Sequence, residues 1–106
     1  MARTTSKSLV IKVVDIKGYR PVYRKGDTFR IEEGYKLQAD KALCVHSLQS
    51  LAPYHILLSN GIDPADLGLA GLDGAAYAQC LDPQEMTDGG TVVFRIGTDE
   101  EESASA

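Results

Sequence analysis

The sequence predicts an α+β domain: a small, mainly antiparallel, four-stranded sheet with one main helix packed on it. Three observations predict it. Residues 9–16 and 91–96 are β-branched runs that read as strands. Residues 41–59 carry apolar side chains at helical spacing. The order strand, strand, helix, short helix, strand, strand lets one helix cover one face of a sheet, the two-layer solution to burying apolar surface.

Each element has a local reason. Residues 1–7 are polar and expected to be loose. In the first strand Leu9, Ile11 and Val13 share one face and Val10, Val14 and Ile16 the other. Both faces are apolar, so the strand is expected to be central. A loop follows through Pro21 to the turn signal Lys25-Gly26-Asp27. In the strand 28–32, Phe29 and Ile31 alternate onto one face, and Glu32-Glu33-Gly34 closes it. Asp40 reads as the cap of the helix 41–59. Cys44, Leu48, Leu51 and Leu58 form its apolar stripe, widened by Val45, Ala52 and Ile56. Pro53 removes a donor and clashes with the preceding turn, about 3 kcal/mol in a helix interior, so the helix is either kinked or split there.

Asn60-Gly61 is a helix stop, and residues 63–67 start a short helix. Glycines 68, 71 and 74 mark a connection to a third strand over 76–81, which Asp82-Pro83 ends. Asp88-Gly89-Gly90 is a turn, and Val92, Phe94 and Ile96 share a face of the last strand. Residues 98–106 are acidic and then Ser/Ala-rich, a composition expected to be disordered, which leaves 8–97 as one domain.

The net charge of −4 hides an uneven distribution. Without the acidic run 99–102 the remaining charges balance, at 11 of each sign. Nine of the eleven basic residues fall between positions 3 and 36. A neutral body argues against nucleic acid as partner, because phosphate neutralisation needs a cationic excess. The apolar run near the N-terminus is short and broken by Lys12 and Asp15, so no export leader is expected. No segment approaches the roughly 20 apolar residues of a membrane span. A cytoplasmic location with reduced thiols is the expectation.

Two cysteines carry the first candidate chemistry. Cys44 and His46, and Cys80 and Asp82, are each two residues apart. In extended backbone that spacing puts both side chains on one face, whereas on a helix it separates them by about 200°. His55, on the Cys44 stripe, lies about 16 Å along a helix and is too far to share an ion. A zinc or iron centre on Cys44, His46, Cys80 and Asp82 is therefore an alternative, weaker than the reading of both cysteines as small buried apolar residues. No nucleophile elbow or triad is present. Asp82, Glu85 and Asp88 do not match a calcium loop and read as a solvated turn.

The second candidate is the loop 17–26, which interleaves cations with two tyrosines. Arg20, Arg24 and Lys25 can pair with carboxylates or phosphates, and Tyr19 and Tyr23 offer contact area. Gly18 and Gly26 lack the spacing of a phosphate-binding glycine loop. The chain's own acidic run 99–102 is another candidate for neutralising this loop, and a solvated connection with its tyrosines folded back on the core is a further reading of it.

From residue 9 to residue 96 the chain resembles a family of small conserved hypothetical proteins of bacteria and archaea. The likeness rests on Val13-Val14-Asp15-Ile16-Lys17-Gly18 leading into Pro21 and Gly26-Asp27, on Leu43-Cys44 with Leu51 and Pro53-Tyr54, and on Cys80, Asp82-Pro83 and Val92-Val93-Phe94-Arg95-Ile96. The family pattern has three cysteines; the first falls at Arg20 here, and the others at Cys44 and Cys80. The resemblance implies a fold and cysteine positions and no reaction. The expected function is a non-catalytic binding or accessory protein whose basic-aromatic loop takes an anionic ligand or a protein partner, with self-association through a sheet edge or the helix. The alternative is a small metal- or thiol-dependent protein centred on Cys44 and Cys80.

Overall fold

The computed structural model describes residues 6–19, 21–80, 84–87 and 89–98. The expected loose N-terminus falls largely outside them, as do the acidic run 99–102, Arg20 and Asp82. The elements run β1 (Leu9–Gly18), β2 (Thr28–Glu32), β3 (Lys36–Gln38), α1 (Val45–Ser59), a 3-10 turn (Pro64–Leu67), β4 (Ala76–Gln79), α2 (Gln84–Thr87) and β5 (Gly90–Thr98). All four strand pairings are antiparallel, in the order β3-β2-β1-β5-β4. The class is α+β with one main helix on the sheet, but the sheet has five strands rather than four.

The added strand is β3. It forms because Glu33 (φ 57) and Gly34 (φ 87) both take left-handed backbone while the Tyr35 N–H donates to Glu32 O (3.1 Å). Positive φ at both central positions is the signature of a I′ turn, whose twist matches a hairpin. Gly34 is also a close-approach point: a Cβ there would lie 2.9 Å from Ser6 Cβ.

β1 is the middle strand, as expected, although only one of its faces packs on the core. Leu9, Ile11 and Val13 face the core with Phe29 and Ile31 of β2 and Val92, Phe94 and Ile96 of β5. A bulge at Val14 corrects the simple alternation. Val13 lies opposite Phe94 and Asp15 opposite Val93, so Ile16 returns to the core face opposite Val92. Lys12 and Lys17 are left exposed on the other face.

α1 starts four residues later than its pattern predicts. Its N-cap is Cys44, in extended backbone (φ −76, ψ 126), and not Asp40. Long-range contacts hold the approach out of the helix: the Lys41 ammonium pairs with Asp27, and the Cys44 N–H donates to the Tyr23 hydroxyl (3.1 Å). Pro53 lies inside one continuous helix, so the split form is not adopted. Asn60 ends it as expected.

Leu51 and Leu58 drive α1 into the core. Its other buried positions, Ser47, Ser50 and Ser59, are small, and the residues β4 turns inward are Ala76 and Ala78. Small against small lets helix and sheet approach closely. Ser50 and Ser59 satisfy their hydroxyls on the carbonyls of His46 and Ile56. Ser47 Oγ is buried with no hydrogen-bond partner among the described residues, which costs about 1–3 kcal/mol. No described helix is long and apolar enough to cross a membrane.

The connection before β4 is tied down by Asp73. Its carboxylate accepts from the Ala75 N–H (3.1 Å), the Tyr77 hydroxyl (2.9 Å) and Arg95 Nε (3.1 Å). The Ala75 amide, then Arg95 and Tyr77, hold the Asp73 carboxyl below its ordinary value of 3.8. A folded-state pKa depressed in this way contributes stability above the ordinary value and loses it as pH falls through the folded value. The stability difference between wild type and Asp73→Asn is therefore expected to be full at neutral pH and to shrink below about pH 4. Urea titrations at pH 7, 4 and 2.5 check this; a pH-independent difference contradicts it.

Candidate functional site

The loop 19–27 is fixed at both ends by backbone bonds. The Tyr19 N–H donates to Gly89 O (3.2 Å), the Gly26 N–H to Val13 O (2.8 Å), and the Val13 N–H to Asp27 O (2.8 Å). The loop therefore sits against the bulged half of β1, beside Lys12 and Lys17. Asp27 closes the turn, accepting from the Arg24 N–H (2.8 Å) and pairing with Lys41. The Lys41 ammonium, followed by the Arg24 amide, holds the Asp27 carboxyl below its usual range.

The two tyrosines separate. Tyr19 is 74% exposed. Tyr23 is 3% exposed and belongs to the core, edge-on to Phe94 at 5.6 Å. It offers no face to a ligand, so the expectation of contact area is corrected for Tyr23. The cause is the pair of partners its two ends find: Phe94 for the ring, the Cys44 amide for the hydroxyl.

Eight of the nine described cations fall into two groups. Arg30 pairs with Glu32 (3.5 Å), Lys36 with Glu33 (3.0 Å), Lys41 with Asp27, and Arg95 with Asp73 (3.1 Å). Glu33 also raises the Lys36 pKa by accepting its hydrogen bond. Lys12, Lys17, Arg24 and Lys25 are exposed and have no carboxylate within ion-pair distance among the described residues. Lys12 was not singled out by the cluster of charge in the loop. The signal for it was present, since a lysine between Ile11 and Val13 marks the solvent face of a strand whose other face is buried.

The cysteine reading resolves differently. Cys80 is buried (5% exposed) beside Val92, and Cys44 is half-buried against the same core; no disulfide joins them. His46 is exposed in the first turn of α1, one position past the first helical residue. Asp82 lies outside the described residues. Among the described residues, no three of His, Cys, Asp and Glu come together to hold an ion.

Compared with protein-family models, with curated proteins and with solved structures, the chain matches none.

Proposed function

We propose that the chain is a non-catalytic binding or accessory protein that takes an anionic ligand or an acidic segment of a protein partner on the face built by the outer side of β1 and the loop 19–27. The observation that carries this reading is the charge pairing. Four described cations have carboxylate partners in ion pairs, whereas Lys12, Lys17, Arg24 and Lys25 are exposed on β1 and the loop bonded to it, with no carboxylate in ion-pair distance among the described residues. Like charges held together repel unless an anion joins them, and an exposed tyrosine at position 19 adds contact area at small entropic cost. Lys17, Arg24 and Lys25 supply the charge; the fixed loop ends supply the preorganisation that keeps ordering costs down.

The test is binding of a fluorescein-labelled polyglutamate peptide and of short-chain polyphosphate, followed by anisotropy at low salt. Replacing Lys17, Arg24 and Lys25 together by Ala is expected to weaken binding about tenfold, because each exposed pair contributes about 0.2–1 kcal/mol. The difference is expected to vanish near 1 M salt, where screening acts within about 3 Å. Equal binding by wild type and the triple variant at low salt removes the proposal.

A further inference from the structure

We propose that the chain's own acidic run 99–102 lies back across the outer face of the sheet and pairs with Lys12, leaving Lys17, Arg24 and Lys25 for an outside anion. The consequence for binding rests on the anion-binding reading. The contact itself rests on where the chain leaves β5 and on the charge it meets there. Residues 99–102, of sequence DEEE, lie outside the described residues, so their reach is set by chain length.

β5 ends at Thr98, which lies opposite Leu9 at the start of β1. Lys12 is three residues further along β1, which puts its Cα about 11 Å from that of Thr98. An extended chain covers at most about 3.5 Å per residue, so Glu101 and Glu102 can stand about 10 to 14 Å from Thr98. The run therefore spans the distance to Lys12. Gly97, opposite Val10, presents no side chain on the outer face and leaves the path between Thr98 and Lys12 low. Lys17 is about 26 Å from Thr98 along β1, beyond the run's reach. Arg24 and Lys25 belong to the turn bonded to Val13, on the side of β1 away from β5.

The charge at that end of the face is unbalanced. Lys12 lies directly opposite Arg95, and Arg30, opposite Val10, is diagonal to it. Like charges directly opposite destabilise a strand pair. The carboxylates beside them are engaged, Asp73 by Arg95 and Glu32 by Arg30. Asp15 lies past the bulge, opposite Val93, and is not within ion-pair distance of Lys12. Three cations thus share two carboxylates, and the acidic run starts one residue past Thr98. A segment tethered this closely acts at an effective concentration in the millimolar range, so it competes with an outside carboxylate of similar affinity. An exposed ion pair is weak, so the contact exchanges with an outside ligand and does not lock the face.

The test keeps the full chain and neutralises the run by Asp99→Asn, Glu100→Gln, Glu101→Gln and Glu102→Gln together. Amines are acetylated with sulfosuccinimidyl acetate at about 150 mM salt, where screening acts within about 8 Å. Mass spectrometry reads the rate at each lysine. A carboxylate partner favours the charged, unreactive ammonium, so loss of the partner speeds the reaction. Lys12 is expected to react about twofold faster in the variant and Lys17 at an unchanged rate, at every protein concentration. At low salt the variant should also bind labelled polyglutamate about threefold more tightly, because Lys12 is then open to it. Equal Lys12 rates in the two proteins overturn the proposal, and the anion-binding reading stands if polyglutamate still binds. Equal acceleration of Lys12 and Lys17 also overturns it, since that reports a general field. So does a difference that appears only at high protein concentration, which reports the run of another copy. If neither protein binds polyglutamate, the anion-binding reading fails and the lysine rates still decide the contact.

Discussion

Phe94→Ala is expected to destabilise the fold by about 3–5 kcal/mol, a large share of the 5–15 kcal/mol that holds a domain together. Phe94 is 0% exposed at the centre of β5, opposite Val13 on one side and Ala78 on the other. Its ring is edge-on to Tyr23 at 5.6 Å and to Phe29 at 6.1 Å. Tyr23 in turn accepts the N–H of Cys44, the N-cap of α1, so one ring supports the sheet, the basic loop and the helix start together. Removing it leaves a cavity that none of the three can close alone, because each is held elsewhere by backbone bonds. Urea unfolding measures the loss as a lowered midpoint at unchanged slope. A control separates packing from the hydrogen bond: Tyr23→Phe keeps the ring, removes the acceptor, and should cost only about 1 kcal/mol. A Phe94→Ala loss no larger than the control's would mean that the aromatic cluster is not the junction described.

Much of this architecture was legible because strong apolar patterns survive any context. Both long strands, the helix body, the stop at Asn60 and the central place of β1 follow from alternation, helical spacing and turn chemistry. What was illegible depended on partners far away in sequence. β3 is three exposed residues, Lys36, Leu37 and Gln38, with no face to contrast; it pairs because a I′ turn delivers it to β2. Ile16 changes face because a bulge, which leaves no mark in composition, inserts Val14. The helix starts late because Tyr23 and Asp27 engage Cys44 and Lys41 from 21 and 14 residues away.

The candidate site divides in the same way. That positive charge concentrates before residue 36 is a property of the sequence alone. Which cations remain without a carboxylate is a property of the fold, since Asp73 reaches Arg95 across 22 residues. The exposed Tyr19 and the buried Tyr23 look equivalent in sequence, and the Phe94 ring and the Cys44 amide distinguish them.

Gly90→Ala is expected to cost about 1–3 kcal/mol and to loosen the basic loop before the rest of the molecule yields. The reason is distance. A Cβ at Gly90 would fall 2.3 Å from Tyr19 O, 2.5 Å from its carbonyl carbon and 2.7 Å from its nitrogen. Every atom in the way is backbone, so no side chain can rotate aside. The first residue of β5 and the start of the loop must move apart, and the Tyr19 N–H bond to Gly89 O goes with them. Gly61→Ala is the comparison: nothing lies within 4 Å of its Cβ, and its penalty arises only from a φ of 87°. Hydrogen exchange separates the two. Gly90→Ala should unprotect the Tyr19 amide well below the denaturant concentration that unfolds β1, whereas Gly61→Ala should leave that amide protected. Because the loop carries Arg24 and Lys25, the same variant should weaken polyglutamate binding without removing any charge. Wild-type protection at Tyr19 together with wild-type binding would show that the close approach between Tyr19 and Gly90 does not hold the loop in place.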